Sequence, residues 1–320
     1  MKNITKNIIN YKGLILLVLV LFSSCNREKL YREEITGLFD TTHILVGYDK
    51  NERGFQEKVK IYKEEMEKYH KLYTIYENFH GINNVKTIND NAGIKAVKVD
   101  TEIIELLEKG IKWKEETGNK VDIFGGEIIS LWNNRKEDEL PSTIDLENAK
   151  KCSIPENVEI NKNQSTVFLK EKCIKIDLGA IAKGYAVEKT AEKMGKKGIT
   201  SFMISAGGNV RIIGKRIIEN KSVKELMKCR THFCVGVTLP IYYNKELDKN
   251  NPYNKKEGYL AKISASDISI VTTGNYQRYF LKNNELYGHI IDMYKLKPVN
   301  NFASVTVITK DSGFADFMST

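Results

Sequence analysis

The chain has little proline, no low-complexity tract and no internal repeat. Five Pro in 320 residues, without a biased segment, exclude a Pro-rich linker protein and argue against a disordered one. The absence of self-similarity at periods of 20–50 residues excludes a solenoid. No apolar run is long enough to span a bilayer. The best, Leu14 to Leu21, has the length of an export signal's apolar segment. The net charge of +9 comes without any long basic block interleaved with aromatics, because Lys and Glu alternate along the chain. Nucleic acid is therefore not an expected partner. Zinc chemistry lacks support as well: Cys229-Arg-Thr-His232-Phe-Cys234 has neither a fourth ligand nor a partner knuckle. Strict strand–helix–strand alternation is missing too, which favours an α+β fold over a doubly wound one.

What is present supports one sizeable core. The chain is 41% hydrophobic and 28% charged, and no strong linker divides it, so residues 38–320 are expected to form one compact domain. Ahead of it, Lys2, Lys6 and Lys12 precede the apolar run, and Phe22-Ser-Ser-Cys25 follows. Small residues before a Cys resemble a bacterial lipoprotein cleavage box, although Phe22 stands where Leu is usual. Residues 1–24 are thus expected to be a lipoprotein signal peptide, Cys25 the lipidated residue and 25–37 a polar tether. An ordinary signal peptide with an incidental Cys is the alternative. Such an anchor holds a domain on the extracytoplasmic side of the cell membrane without spanning it. Removing residues 1–24 takes away three Lys and no acid and leaves a charge of +6. The remaining cysteines, Cys152, Cys173, Cys229 and Cys234, permit disulfides in an oxidising setting, with pairing left open.

Periodicity predicts a strand at Thr41–Tyr48. It predicts amphipathic helices at Gly54–Tyr76 and Thr101–Thr117, the second ended by Gly118. A short helix follows Gly126, and another starts at Ser142 or Asp145. Strands are expected at 157–160, 166–169, 201–205, 234–239, 261–264, 269–272, 289–292 and 304–308. Residues 77–93 read as loop, 215–232 as helical or irregular, and 241–258 as a polar, Asn/Lys-rich loop. Lys175-Ile-Asp-Leu-Gly-Ala-Ile-Ala-Lys-Gly-Tyr-Ala-Val-Glu188 is the most informative stretch. It reads as a strand end, a glycine turn and a helix start. Free N–H groups and the positive dipole end suit a phosphate there, and a purely structural turn reads equally well.

Taken in series, Asp177-Leu-Gly-Ala-Ile-Ala-Lys-Gly-Tyr185, Ala206-Gly-Gly-Asn209, Thr273-Gly-Asn-Tyr276 with Arg278, His289-Ile-Ile-Asp292 and Ala315-Asp316-Phe-Met-Ser319-Thr320 resemble the ApbE-type FAD:protein FMN transferases. Thr74-Ile-Tyr76 and Asp122 to Trp132 extend the match, which runs from about Phe39 to the end. The resemblance implies an α+β, T-fold-like core of mixed, largely antiparallel sheets packed with helices. It implies transfer of FMN from FAD to a Thr hydroxyl of a membrane subunit, of the Rnf or Na⁺-translocating NADH:quinone reductase type, with release of AMP. A pyrophosphate calls for a hard divalent cation, Mg²⁺ or Ca²⁺. The resemblance places its ligands at the Ala180 carbonyl, Asp316 and Thr320, helped by Ser319. It places Phe39, Tyr76, Val121, Asp122, Ile123, Asp177, Lys183 and Ile290 along the FAD. His289 matches a general base near the reacting phosphate, and Lys183 with Asp316 completes the implied catalytic set. Read alone, His289 fits a hydrogen-bonded core histidine, Asp292 a turn cap and Arg278 a solvated strand residue.

The sequence departs from the family in places. Met293-Tyr-Lys-Leu-Lys-Pro298 replaces the usual turn, Asn275 stands where Asp is usual, and the chain stops at Thr320, where a further helix and strand are expected. The chain as given is therefore expected to be a truncated piece. Two other functions fit the same residues: a metal-dependent FAD pyrophosphatase and a flavin-binding lipoprotein without turnover.

Overall fold

The structure, a computed structural model, describes residues 28–135, 139–217, 232–240, 259–276, 278–283 and 285–320. The expected signal segment, Cys25, residues 218–231 and the expected 241–258 loop lie outside the described residues. Among the described residues, seven helices and fifteen strands follow in chain order. They are β1 (Lys29–Leu38), β2 (Thr41–Asp49), α1 (Glu52–Tyr73), α2 (Val85–Asp90), β3 (Val97–Lys98), α3 (Thr101–Glu116), α4 (Gly126–Asn133) and α5 (Thr143–Cys152). Next come β4 (Val158–Asn161), β5 (Thr166–Leu169), α6 (Ala182–Lys196), β6 (Ser201–Ala206), β7 (Asn209–Gly214), β8 (Phe233–Thr238) and β9 (Tyr259–Ala265). The last part holds β10 (Ser269–Gly274), β11 (Tyr279–Lys282), β12 (Glu285–Gly288), β13 (Ile291–Asp292), β14 (Lys297–Pro298), β15 (Ser304–Thr309) and α7 (Ser312–Ser319).

A six-stranded antiparallel sheet in the order β1-β2-β6-β7-β10-β15 forms the frame. The fold is α+β, as the missing strand–helix alternation predicts. Period-two patterning sorts the side chains of β2: Leu45 faces the main core, while Val46 and Tyr48 face a second cluster with Phe233 and Val235 of β8. The main core gathers the stripe of α1 (Phe55, Val59, Tyr62, Met66, Tyr69, Tyr73) with Ile103, Leu106 and Leu107 of α3 and Tyr185, Val187 and Met194 of α6. Each such buried large side chain stabilises by about 1.5–3 kcal/mol. A third cluster joins Ile128 and Trp132 of α4 to Leu146, Ala149 and Leu296.

Two hairpin turns deserve notice because both border the site. Gly207 and Gly208, at φ +51° and +90°, make the tight turn from β6 to β7. A Cβ on Gly207 would lie 2.1 Å from Thr41 Oγ1, so glycine is required there. The β1–β2 turn has the same backbone hand, with Phe39 at φ +48° and Asp40 at +51°, but no glycine. A disulfide joins Cys152, at the end of α5, to Cys173, ahead of Asp177. Cys234 is disulfide-bonded too, which takes it out of any zinc site.

Four expectations need correction. The predicted tether over 25–37 is largely strand: Lys29–Leu38 pairs with β2 along its length, because Tyr31 and Ile35 alternate with charged residues and pack on the core. Residues 77–93 contain α2, started by a capping box between Asn84 and Thr87. The expected 289–292 strand shrinks to Ile291–Asp292. The segment entering Asp177 is extended but forms no strand: it makes one isolated Gly125–Lys175 bridge, an Asp177 N–H bond to the Ile123 carbonyl at 2.8 Å, and bonds from Ile176 N and O to the Asn89 side chain at 2.8 and 2.9 Å.

Candidate active site

The C-terminal end of α1, the start of α6, the end of α7 and the 289–293 segment surround a cleft of about 1140 Å³. Phe39, Tyr76, Val121, Asp122, Ile123, Asp177, Ala180, Lys183, His289, Ile290, Asp316 and Thr320 all line it. The structure thus brings together every expected cleft residue except Ser319.

The charged wall is built by α6 and α7. Lys183 Nζ donates to both oxygens of Asp316, at 3.2 and 3.4 Å. The Gly184 N–H, which a continuous helix would give to the Ala180 carbonyl, donates instead to Asp316 Oδ2 at 2.8 Å. No other backbone N–H reaches Ala180 among the described residues. The two helices meet this closely because Gly184 has no side chain: a Cβ there would stand 2.4 Å from Asp316 Cβ and 2.5 Å from Ser312 O. Behind them Glu188 accepts from the Ser312 N–H (2.7 Å) and from Arg211 Nε (3.1 Å), which docks the start of α7. Ser312 Oγ also bonds Asn209 Oδ1, so the Ala206-Gly-Gly-Asn209 motif buttresses α7. Burial raises the pKa of Glu188, a cost that the Arg211 charge and the Ser312 N–H offset.

No group of three or more His, Cys, Asp and Glu converges among the described residues. A metal here would rely on mixed oxygens. The Asp316 carboxylate, the Ala180 carbonyl and the hydroxyls of Thr320 and Thr273 form an all-oxygen set on one wall, which fits a hard divalent cation. Ser319 is not part of it. It is buried and does not line the cleft; its Oγ sits 2.7 Å from Thr273 Oγ1 and donates to Asp316 O at 3.1 Å, a helix-end bond that Thr320 Oγ1 also makes at 3.1 Å.

The opposite wall is apolar and aromatic. Phe39, Tyr76, Val121, Ile123 and Ile290 supply it, with Tyr76 73% exposed. Asp122 lies here with its carboxylate already engaged by Lys114 Nζ (2.6 Å), Ser153 Oγ (2.7 Å) and the Phe124 N–H (2.9 Å). It therefore shapes the 121–126 loop. Asp177 accepts the Gly179 N–H at 2.7 Å, and burial raises its pKa against that bond. His289 opens to solvent at the mouth, with Nδ1 3.2 Å from Arg278 O. Desolvation by the cleft walls lowers its pKa, so the imidazole is neutral at pH 7. Asn275, at the Asp-usual position, is buried and does not line the cleft.

Sequence reading missed Lys114, His70, Lys120 and Asn301, which hold or line the cleft. His70 and Lys114 stand in the last turns of α1 and α3, where basic residues are ordinary helix ends. Nothing in their spacing marks them out.

Comparison with known proteins finds relatives of this chain. The FAD:protein FMN transferase of Klebsiella pneumoniae is 24% identical over 77% of this chain and 70% of its own. Those of Vibrio cholerae and Treponema pallidum are both 26% identical, over 72% and 71% of this chain. The aligned stretch spans 63% and 59% of those two relatives. The crystal structure of the ApbE protein of Thermotoga maritima matches with a TM-score of 0.71 and 25% identity, over 91% of this chain and 85% of that one. The flavin transferase ApbE of Vibrio cholerae shares the fold, with a TM-score of 0.69 at 20% identity. A sequence model of the ApbE family matches residues 40–320, and the chain belongs to that family.

Proposed function

We propose that this protein is a transferase that moves FMN from FAD to a threonine hydroxyl of a protein acceptor and releases AMP. The single observation that carries this reading is the two-sided cleft. A lysine–aspartate pair at a helix start faces an aromatic and apolar wall across about 1140 Å³, above the usual range for small ligands and enough for a dinucleotide. Phe39 and Tyr76 offer faces on which rings stack. Lys183, at the positive end of the α6 dipole, neutralises a pyrophosphate. Neutral His289 takes the proton of the acceptor hydroxyl as its oxygen bonds to the FMN phosphorus and the bond to the AMP oxygen breaks. Asp316, Ala180, Thr320 and Thr273 would hold Mg²⁺ or Ca²⁺, which would supply charge neutralisation on the phosphate oxygens. Asp316 also orients Lys183.

The acceptor belongs to the class of Rnf or Na⁺-translocating NADH:quinone reductase subunits, and a lipid on Cys25 would hold the enzyme beside it, on the extracytoplasmic face of the membrane. The open position of His289 favours a second reading, in which water replaces the threonine and FAD is hydrolysed to FMN and AMP.

The test incubates the protein with FAD, Mg²⁺ and such a subunit and follows flavin fluorescence that stays with the acceptor on a denaturing gel. The band should need the metal and should fall about 10²–10⁴-fold in rate in His289→Ala, with a comparable loss in Asp316→Ala. AMP release without a band would establish the hydrolase instead. Bound FAD with neither product would leave a flavin-binding protein.

A further inference from the structure

The β1–β2 turn is held in a way that the reaction itself does not explain. Phe39 and Asp40 both lie at positive φ, +48° and +51°, without the glycine or asparagine that such a turn prefers. A bulky residue in that region is strained unless its surroundings over-determine it. They do so here from three elements. On β2, buried His43 sets Nε2 2.9 Å from the Leu38 carbonyl, with Nδ1 on the Tyr62 hydroxyl. From the segment after β10, Arg278 Nη2 donates to the Asp40 carbonyl at 3.4 Å. In the last turn of α1, His70 Nδ1 accepts the Phe39 N–H at 3.2 Å, and its ring meets the Phe39 ring edge-on with centroids 5.5 Å apart. Only the His70 bond acts on Phe39 itself, and His70 and Phe39 both line the cleft.

We propose that His70 is a positioning residue for the flavin site: by accepting the Phe39 N–H it holds the turn in its left-handed form and keeps the Phe39 ring on the cleft wall where the isoalloxazine stacks. The inference rests on reading the cleft as an FAD site with Phe39 against the flavin. It assigns to His70 no contact with the reacting atoms. The carbonyl of the same residue accepts the Thr74 N–H at 3.1 Å, ending α1 two residues before Tyr76. One residue therefore sets the departure of both aromatic contacts.

The experiment titrates FAD against the full chain and five variants, following flavin fluorescence, with kcat and KM for FAD measured alongside. His70→Ala should weaken FAD binding about tenfold, the worth of one net hydrogen bond, and raise KM while kcat at saturating FAD stays within about twofold of wild type. His70→Asn, whose side-chain oxygen occupies the place of Nδ1, should stay within about threefold of wild type. His70→Gln, of similar polarity but with its oxygen placed as Nε2 is, should behave like alanine; if alanine fails to fold, the Asn–Gln contrast decides. Phe39→Ala should weaken FAD by a similar factor, and adding His70→Ala to it should cost nothing more. Equal FAD affinity in His70→Asn and His70→Gln, or full additivity in the double variant, would overturn the clamp. Unchanged affinity in Phe39→Ala would overturn the placement of the flavin on Phe39, and the clamp with it, whereas a loss in Phe39→Ala without one in His70→Ala or His70→Gln would sink the clamp alone.

Discussion

The two walls of the cleft are built on opposite terms. The α6–α7 wall is buried and ordinary in backbone, and its charges are answered: Asp316 by Lys183 and Gly184, Glu188 by Arg211 and Ser312. The aromatic wall is half open, carries a turn at positive φ and presents Tyr76 73% exposed. Charge is placed where nothing moves, because a misplaced carboxylate in a low dielectric is costly. Ring faces are offered where the cleft opens to solvent. The difference predicts that damage to one wall registers as stability and damage to the other as affinity.

Four variants break or sharpen that contrast. The largest effect falls on the closed wall: Gly184→Ala forces a methyl to within 2.5 Å of Ser312 O and 2.8 Å of Asn209 Nδ2. It should cost about 1–3 kcal/mol in urea unfolding and lower activity with it, because Asp316 must shift. Tyr76→Ala, on the open wall, should leave the urea midpoint within about 0.5 kcal/mol yet weaken FAD by about 0.5–1.5 kcal/mol, the worth of one ring stack. A Tyr76 variant that destabilises the fold as much as the Gly184 variant would erase the distinction.

Asp177 sits where the walls meet and gives a smaller, opposite result. Burial raises its pKa, so the ionised carboxylate costs folding energy at neutral pH. Asp177→Asn should raise the thermal midpoint and weaken FAD binding together, and a lower midpoint would refute that account. The smallest effect is on pH. Burial keeps His43 below its ordinary pKa. On acidification the unfolded chain takes up that proton first, at about pH 6.5, so the His43 contribution is whole above that pH and is lost as pH falls toward the folded-state value. Urea midpoints between pH 8 and 5 should slope less in His43→Gln. Activity should fall below the ordinary histidine range, as His289, also depressed by desolvation, becomes protonated.

Much of this was legible in the chain. The apolar stripe of α1 named its own buried face, and the Lys175–Glu188 stretch announced the turn and helix start that hold Asp177, Ala180 and Lys183. Strand β1 was hidden because four of its ten residues are charged, and a strand with one wet face looks like a tether unless Tyr31 and Ile35 are counted two by two. Residues that act through tertiary contact leave no pattern. The Lys114–Asp122 pair is closed by a loop, and Ser319 turns inward because Thr273 on β10 meets it. Helix periodicity gives a face, and only packing decides which member of that face reaches the cleft.

The bond between Cys152 and Cys173 closes a loop of 21 residues that contains the whole β4–β5 hairpin. Crosslinks of that span commonly contribute about 2–4 kcal/mol by restricting the unfolded chain, and they persist where thiols are not kept reduced. The place of manufacture therefore becomes part of the molecule's chemistry. The same polypeptide folded in a reducing compartment would reach the same cleft with a looser approach to Asp177, and would be a softer protein than the one assembled in an oxidising one.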